Sequence, residues 1–141
     1  MARTAGHTPE AERVVRAFSR TGEHGLLWIV PGLLAGGRWR RAALRVAGAY
    51  VANQLVKVAV PRSRPRLDGL PPLISVHSDR SFPSAHSTTS FAGARLYARL
   101  GLPAALVYAV AGAMAASRVW LGVHHPSDVL AGAALGTLVA R

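Results

Sequence analysis

The sequence predicts an all-α, membrane-embedded bundle of about five helices, because apolar segments alternate with polar stretches and small residues are abundant. The apolar segments are residues 25–37, 42–60, 103–117 and 128–140. Of the 141 residues, 50% are hydrophobic and 14 are Gly, whereas only 6% are aromatic. Many small residues suit close contact between helices in a membrane. A soluble all-α domain is the alternative, because the mean hydropathy is only +0.24.

The first predicted part of the chain is the polar and charged stretch 1–23. Thr8 followed by Pro9 is typical of a helix start, and we expect a helix from there to about Arg20. The apolar residues on one face of this helix are Val14, Val15 and Phe18. Such an amphipathic helix could lie on a membrane surface, and a solvated terminus is the alternative. It is not expected to be a secretory signal peptide, because no small-residue cleavage site follows an apolar core.

The second part, residues 24–141, is predicted to be the membrane domain. Segment 25–37 is short, and Pro31 is expected to kink its helix. Residues 38–41 (RWRR) are expected to form a charged turn with an interfacial Trp. At 1.5 Å per residue, the roughly 19 residues of segment 42–60 come close to the roughly 30 Å of a bilayer core.

Two polar loops separate the remaining helices. Residues 61–83 form a loop rich in Pro, Arg and Ser, and residues 118–127 form the second loop. Helices are predicted at 84–99, 103–117 and 128–140. Small residues recur four positions apart, a spacing that lets helix backbones approach closely. These pairs are Gly32/Gly36, Ala111/Ala115, Gly112/Ala116 and Gly132/Gly136.

Three places on the chain meet on one face of the bundle if successive helices alternate in direction. They are the end of segment 42–60, the start of helix 84–99 and loop 118–127. These places carry nearly all the side chains that can do chemistry. We therefore expect one functional site on that face.

The first of these places collects cations where a helix meets a loop. Lys57 is the single Lys among 17 basic residues, and Arg62, Arg64 and Arg66 follow it. A guanidinium offers planar, bidentate donors that match phosphate oxygens, whereas Lys offers a point charge. The cluster indicates a phosphate site or, alternatively, a positively charged membrane flank. Arg62, Arg66 and Arg80 could bind a second phosphate or a lipid headgroup, or could only solvate the loop.

The second place is the sequence SFPSAH at residues 81–86. A helix that begins near Ser84 would direct free backbone N–H groups at an anion. His86 would lie in the first turn, and His is well suited to proton transfer near neutral pH. The alternative is an ordinary Ser cap followed by a surface His.

The third place runs from Ser117 to Asp128. His124 and Asp128 are four residues apart, so a helical turn there brings the carboxylate to the imidazole. A carboxylate so placed fixes the tautomer of the ring, as in a Ser-His-Asp triad, and the His can then act as a nucleophile. The alternative is a metal site on His124, His125 and Asp128. Adjacent His side chains diverge, so no metal is predicted.

Together the three places resemble the signature of the type 2 phosphatidic acid phosphatase (PAP2) superfamily, which also contains bacterial acid phosphatases and vanadium haloperoxidases. The matching residues are Lys57, Arg64 and Pro65, then Pro83, Ser84 and His86, then Ser117, Arg118, His124 and Asp128. The family usually has Gly where this chain has Ala85. Residues 19–25 are also similar to small actinobacterial members, some of which are proposed to act on polyprenyl-linked sugar phosphates.

The resemblance implies a core like that of the acid phosphatases and haloperoxidases, and a role for each matching residue. His124 would attack phosphorus to form a phosphohistidine, Asp128 would orient His124, and His86 would protonate the leaving oxygen and later activate water. The groups that bind phosphoryl oxygens would be Lys57, Arg64, Arg118, Ser84 and the N–H of Ala85. Three cations would replace metal ions. We therefore expect activity without metal or cofactor, and inhibition by vanadate.

The predicted function is hydrolysis of a lipid phosphate or pyrophosphate whose headgroup lies at the polar loops. Phosphatidate, polyprenyl phosphates and prenyl-linked phosphosugars all fit as substrates. The formal net charge of +11 is spread in small groups between apolar segments, which is typical of a membrane protein rather than a nucleic-acid-binding one. The alternatives are a catalytically inactive basic membrane protein that binds anionic lipid headgroups, and a vanadate-dependent haloperoxidase.

The basic residues also predict an orientation in a bacterial cell membrane. Arg residues at 38–45 and 95–99 lie opposite the predicted site, so the positive-inside rule puts the site on the extracytoplasmic face. The Arg residues in stretch 13–20 argue for the reverse if segment 25–37 spans the membrane. The family pattern usually has six membrane helices, and a homo-oligomer could cover the surface that a missing helix leaves.

Overall fold

The computed structural model describes residues 7–66, 73–76 and 78–141. Its six helices are α1 (Pro9–Thr21), α2 (Leu26–Ala35), α3 (Gly37–Ala59), α4 (Ala85–Arg99), α5 (Ala104–Trp120) and α6 (Pro126–Val139). A short 3₁₀ turn, Glu23–Gly25, joins α1 to α2. The described ranges contain no β-strand, only an isolated bridge between Ser63 and Arg80. The predicted all-α fold is confirmed, and the described residues form six α-helices where about five were expected.

Helix α1 begins where its sequence predicts. The hydroxyl of Thr8 accepts a hydrogen bond from the backbone N–H of Ala11 at 3.2 Å, and Pro9 occupies the first helical position. The helix packs against α5, so it belongs to the bundle rather than lying apart from it. Residues 1–6 of the polar stretch predicted at 1–23 lie outside the described residues.

The chain turns between α2 and α3 at two glycines, not at the Arg-rich stretch 38–41. Gly36 and Gly37 have φ values of +71° and +48°, which residues with a Cβ rarely adopt. Residues 38–41 are helical and lie in the first turns of α3, so the expected charged turn is wrong. Arg and Trp are compatible with a helix, and the glycines before them supply the turn. Helix α2 continues through Pro31.

The loop expected at 118–127 is shorter than predicted. Helix α5 continues to Trp120 and α6 begins at Pro126, a residue that fits the first helical position because its missing N–H is not needed there. Asp128 closes a capping box, since its Oδ2 accepts a hydrogen bond from the backbone N–H of His125 at 2.8 Å. Arg118 is therefore held by α5 rather than by the loop, and Asp128 lies in the first turn of α6.

Helix α4 lies at the centre of the bundle, against α3, α5 and α6. Residues 87–90 are buried although they are polar. The hydroxyl of Thr88 donates to the carbonyl of Ser84 at 3.1 Å and accepts from Asn53 Nδ2 at 2.9 Å. Such hydrogen bonds offset the cost of burying polar groups, and they fix the first turns of α4 on its neighbours.

Gly132 and Gly136 let α6 lie directly against α4. A Cβ on Gly132 would lie 2.5 Å from the carbonyl oxygen of Ser84, and a Cβ on Gly136 would overlap the carbonyl oxygen of Thr88. The close helix contact predicted from this pair is confirmed. The backbones approach here because neither glycine presents a side chain.

The predicted pair Gly112/Ala116 makes no such contact. A Cβ on Gly112 would meet no atom of the described residues within 4 Å, and Ala116 is exposed. In the pair Gly32/Gly36, a Cβ on Gly32 would lie 2.8 Å from the Cβ of Ala43, whereas a Cβ on Gly36 would meet no described atom within 4 Å. Spacing alone therefore identifies some of the helix contacts and not others.

The outer surface of the bundle carries many large apolar side chains. Leu34 is 83% exposed, Leu130 is 70% exposed and Leu55 is 68% exposed. Within the described ranges, no helix combines the length and the apolar character needed to cross a membrane.

Candidate active site

The predicted site residues meet at one end of the bundle, around a cavity of about 360 Å³. Those that line it are Lys57, Arg64, Ala85, His86, Arg118 and His124. Ser84 and Asp128 are fully buried beside them, and the backbone N–H of Ser84 donates to the carbonyl of Asp128 at 2.9 Å. The three clusters of the sequence thus form one cluster in space.

His124 lies in the link between α5 and α6, with Asp128 on the first turn of α6. The Nδ1 of His124 is 3.6 Å from Asp128 Oδ2, which is slightly longer than a hydrogen bond. The Nε2 of the same ring lies 3.3 Å from Arg64 Nη1. One ring nitrogen therefore faces the carboxylate, and the other faces a cation that lines the cavity.

The pKa of His124 is lowered from 6.5 to about 4. Burial is the largest cause, since it disfavours the charged ring. Asp128 opposes this shift, whereas the positive charges of Arg64, Arg118 and Lys57 add to it. The ring is therefore neutral at neutral pH, and a neutral imidazole has the lone pair that a nucleophile needs.

His86 occupies the first turn of α4 and lines the same cavity. The backbone carbonyl of Ser19 in α1 accepts a hydrogen bond from its ring. Its Nε2 is buried and has no hydrogen-bond partner among the described residues. One side of the ring is thus fixed by α1, and the other nitrogen can exchange a proton with a bound group.

Backbone carbonyls hold two of the three predicted phosphate-binding cations. Lys57 Nζ donates to the carbonyl of Arg80 at 3.3 Å. Arg64 donates through Nε to the carbonyl of Ser78 and through Nη1 to the carbonyl of Val123, both at 2.7 Å. These contacts fix the cations without neutralising them. Burial is the main reason that the pKa of Arg64 is lowered, and a guanidinium stays charged in spite of such a shift.

The third cation, Arg118, contacts α1 instead, since its Nη1 donates to the hydroxyl of Ser19. It is 5% exposed. No acidic side chain within the described ranges forms an ion pair with Lys57, Arg64 or Arg118. Like charges gathered in one place repel one another, so the cluster favours an anionic ligand.

Several buried polar atoms at this end of the bundle lack a hydrogen-bond partner within the part of the chain that the structure describes. They are Ser84 Oγ, His86 Nε2, Ser87 Oγ, Arg118 Nε and His124 Nδ1. A buried polar atom without a partner costs about 1–3 kcal/mol. Most of these atoms can donate a hydrogen bond, which suits a ligand rich in oxygen atoms, such as a phosphoryl group.

The alternative hypothesis placed a metal ion on His124, His125 and Asp128. His125 Nε2 lies 3.3 Å from the carbonyl of Ser63, so its ring turns to the loop after α3 rather than toward His124. Among the residues described, no three His, Asp or Glu side chains lie close enough to hold a metal ion.

Arg62 has a contact that the sequence analysis missed. Its Nη1 lies 2.9 Å from Asp128 Oδ1 and 2.7 Å from Ser127 Oγ. The sequence indicated only a second phosphate, a lipid headgroup or solvation of the loop for this residue. One signal was available: side chains two residues apart in an extended chain point to the same side. Arg62 contacts Asp128 in the first turn of α6, and Arg64 contacts His124 in the link that precedes this helix.

The other two arginines of that group differ from Arg62. Arg80 Nη1 lies 3.4 Å from the carbonyls of Lys57 and Val58, so it covers the end of α3. Arg66 is exposed. Arg80 therefore holds Lys57 in place without itself lining the cavity.

Helix α1 supplies a further wall of the cavity, which the three clusters did not predict. Its residues in the lining are Arg16, Ser19 and Arg20. A Cβ on Gly22 would lie 2.9 Å from the His86 ring, so a glycine is needed where α1 ends. The only sequence signal was the similarity of residues 19–25 to small actinobacterial proteins.

Comparison with known proteins gives matches to a family, to a curated relative and to solved structures. A model of the PAP2 superfamily matches residues 38–141. The chain is 41% identical over 132 residues to the decaprenylphosphoryl-5-phosphoribose phosphatase of Mycobacterium tuberculosis, an alignment that covers 88% of this chain and 73% of the relative.

Two solved structures are similar in fold. The first is LpxE from Aquifex aeolicus, with a TM-score of 0.78, 22% identity, and coverage of 99% of this chain and 87% of that one. The second is the transmembrane PAP2-type phosphatidylglycerolphosphate phosphatase from Bacillus subtilis, with a TM-score of 0.75, 24% identity, and coverage of 99% and 77%.

Proposed function

The chain belongs to the PAP2 superfamily and is a phosphatase of that type, and from that premise we propose that it removes the terminal phosphate of a lipid-linked phosphosugar. The observation that carries the proposal is the arrangement of two histidines and three cations around one cavity. The class of substrate is supported by the name of the mycobacterial relative, a phosphatase of a decaprenylphosphoryl phosphoribose.

In the proposed reaction, His124 is the nucleophile. Its Nδ1–H donates to Asp128, which leaves the lone pair on Nε2 to attack phosphorus. The bond between phosphorus and the sugar oxygen breaks, and His86 gives that oxygen a proton. The product is a free sugar hydroxyl and a phosphohistidine. The 3.6 Å between Nδ1 and Asp128 closes to a hydrogen bond when substrate binds, as is common in active sites.

The second half of the reaction returns the enzyme to its starting state. His86, now neutral, takes a proton from water, and the oxygen attacks the phosphohistidine. The bond between phosphorus and Nε2 breaks, inorganic phosphate leaves, and both histidines have the protons with which they began. The negative charge of a bound phosphate favours the protonated form of His86 that the first step requires.

Lys57, Arg64 and Arg118 are proposed to bind the phosphoryl oxygens, together with the Ser84 hydroxyl and the Ala85 N–H. Phosphoryl transfer depends mainly on positioning and on stabilising charge. Cations already fixed by the carbonyls of Arg80, Ser78 and Val123 need little rearrangement when the phosphate arrives. The proposed reaction therefore needs no metal ion.

We also propose that the protein is embedded in the bacterial cell membrane, with the site on its extracytoplasmic face. Support comes from the large apolar side chains on the outer surface of the bundle, because soluble monomers rarely expose such surface. The Bacillus subtilis neighbour is described as a transmembrane protein. A lipid substrate could then reach the cavity from the bilayer.

The proposal is tested by phosphate release from detergent-purified protein in the presence of EDTA. The substrates are a short-chain prenylphosphoryl-ribose 5-phosphate, phosphatidate and a prenyl pyrophosphate, each offered to wild type and to His124→Ala. We expect release by wild type alone, with the highest kcat/KM for the phosphosugar. Equal release by His124→Ala would contradict the proposed nucleophile, and a preference for another lipid would contradict the proposed substrate.

A further inference from the structure

We propose that Arg16 and Arg20 of α1 form a second anion subsite, which binds the phosphodiester that joins the sugar to the lipid. The identity of this ligand rests on the proposed function. The subsite itself rests on the lining of the cavity, on its charges and on the way α1 is held against the catalytic residues.

The cavity is larger than one phosphoryl group requires. Its volume of about 360 Å³ lies in the range of roughly 300–1,000 Å³ found for small-molecule sites. Besides the predicted site residues, its lining includes Arg16, Arg20, Glu23, Tyr50 and Gln54. The two arginines are four residues apart, so they lie one turn apart on the same face of α1. Tyr50 and Gln54 offer hydroxyl and amide groups that suit sugar hydroxyls.

The two arginines of α1 keep hydrogen-bond donors that a ligand in the cavity can use. Arg16 Nη2 pairs with Glu12 at 2.6 Å, but its Nε is buried without a partner among the described residues. Arg20 is exposed, and none of its contacts within the described ranges is an ion pair. Glu23 is the acidic residue of the described lining. Glu12 and Glu23 balance the charges of these two guanidiniums, so the cavity keeps the positive charge of its other cations. Arg20 and the buried Nε of Arg16 remain as donors for the oxygens of a phosphodiester.

Helix α1 is fixed to the catalytic residues at Ser19, which lies between the two arginines in sequence. The hydroxyl of Ser19 accepts from Arg118, and its carbonyl accepts from the His86 ring. The guanidiniums of α1 are thus held at a set separation from the groups proposed to bind the terminal phosphate. Because this separation is fixed, the site should prefer a ligand whose two phosphates are joined through a sugar. A lipid with a single phosphate should bind less well.

The test measures binding of farnesylphosphoryl-ribose, which has the phosphodiester and the sugar but no phosphate for the enzyme to remove. Its Kd is measured by calorimetry with full-length protein in detergent. The variants are Arg20→Gln and the double variant Arg16→Gln/Arg20→Gln. The matched control is Arg13→Gln on the same helix, because Arg13 is exposed, pairs with Glu10 and is absent from the cavity lining.

We expect the double variant to bind farnesylphosphoryl-ribose roughly 10- to 100-fold more weakly than wild type, as for the loss of hydrogen bonds to a charged group. Arg20→Gln should show part of that loss, and Arg13→Gln should bind like wild type. The subsite is wrong if the double variant binds within twofold of wild type, or if wild type itself does not bind. Thermal unfolding shows whether each variant is folded. If the double variant does not fold, the Kd of Arg20→Gln is the test of the subsite.

A second readout separates the subsite from the proposed function. The kcat/KM for farnesylphosphoryl-ribose 5-phosphate is compared with the kcat/KM for farnesyl phosphate. Relative to wild type, the double variant should show a decrease for the phosphosugar at least tenfold greater than its decrease for farnesyl phosphate. If wild type hydrolyses neither ester yet binds farnesylphosphoryl-ribose through the two arginines, the subsite stands and the proposed substrate is wrong. If wild type hydrolyses both and the variant loses equally on both, the subsite is wrong and the phosphatase assignment stands.

Discussion

Arg62 Nη1 lies 2.9 Å from Asp128 Oδ1, and this ion pair joins the loop after α3 to the first turn of α6. The other carboxylate oxygen accepts from the His125 N–H and faces Nδ1 of His124. The side chain of Asp128 is fully buried, whereas that of Arg62 is 40% exposed. A buried carboxylate keeps its charge when donors replace lost water. Arg62 therefore fixes the group that is proposed to orient the nucleophile.

Replacing Arg62 is expected to impair catalysis through Asp128 rather than through substrate binding. Arg62→Gln should lower kcat about 10- to 100-fold, as for other groups that orient a catalytic residue from behind, and should change KM little. Without the guanidinium, the negative charge of Asp128 acts more strongly on His124, so its pKa should rise. The measurement is the pH dependence of kcat, whose acidic limb should move to higher pH.

The control for this prediction is Arg66→Gln, in the same loop but exposed, which should keep the wild-type profile. Arg62→Lys should recover part of kcat because it restores the charge but not the planar donors. A loss of kcat with no movement of the acidic limb would mean that Arg62 only stabilises the fold.

The proposed nucleophile makes a second prediction. His124→Ala should lower kcat at least about 10³-fold, because the variant lacks the ring nitrogen that is proposed to attack phosphorus. Asp128→Asn should cost about 10²–10⁴-fold, by analogy with the orienting carboxylate of a Ser-His-Asp triad. The measurement is turnover together with trapping of an acid-labile phosphoenzyme from a labelled substrate.

The matched control for the nucleophile is His125→Asn, which keeps both the backbone N–H that Asp128 accepts and a side chain able to cap α6. This variant should still form the phosphoenzyme. A labelled phosphoenzyme in His124→Ala at the wild-type level would rule out His124 as the nucleophile.

The sequence predicted most of the helices and the members of the site because those features are local. Thr8 before Pro9 and the small pair Gly132/Gly136 each depend on neighbours along the chain. The cations and histidines were found because they stand at the ends of helices whose alternation brings those ends together. The charged turn was wrong because the two glycines, not the arginines after them, decide where the backbone can turn.

The sequence could not predict contacts between segments that lie far apart along the chain. Arg62 reaches Asp128 across 66 residues, and Arg118 reaches Ser19 across 99. Such contacts depend on how α1 and the loop after α3 pack, and no periodic pattern encodes that packing. The cavity wall supplied by α1, and the subsite proposed on it, were therefore accessible only from the structure.

The lowered pKa of His124 makes a third prediction, about pH and stability. Its pKa is about 4 in the folded protein and about 6.5 in an unfolded chain. The unfolded state therefore binds the proton more readily. The stability associated with the neutral ring is present above pH 6.5 and is lost as the pH falls toward 4. Thermal unfolding between pH 7.5 and pH 4 measures this loss.

A variant isolates the part that His124 contributes to the pH dependence. His124→Gln has no titrating ring, so its Tm should fall less than that of wild type over the same pH interval. If the two proteins lose Tm in parallel, the acid sensitivity comes from other groups and the ring of His124 is not held neutral by its surroundings.

The close contact of α4 and α6 makes the last prediction, a comparison of two glycines in helices. Gly132→Ala places a Cβ 2.5 Å from the carbonyl oxygen of Ser84, and this overlap cannot be relieved without separating the helices. We expect a loss of about 2 kcal/mol or more in the free energy of unfolding. Because the backbone N–H of Ser84 donates to the carbonyl of Asp128, the shift should also lower kcat.

The control is Gly112→Ala, whose Cβ meets no described atom within 4 Å, so this variant should stabilise α5 by about 0.5–1 kcal/mol. Denaturant unfolding in detergent measures the free energy of unfolding of both variants. Equal changes in that free energy would show that α4 and α6 are not in close contact at Gly132.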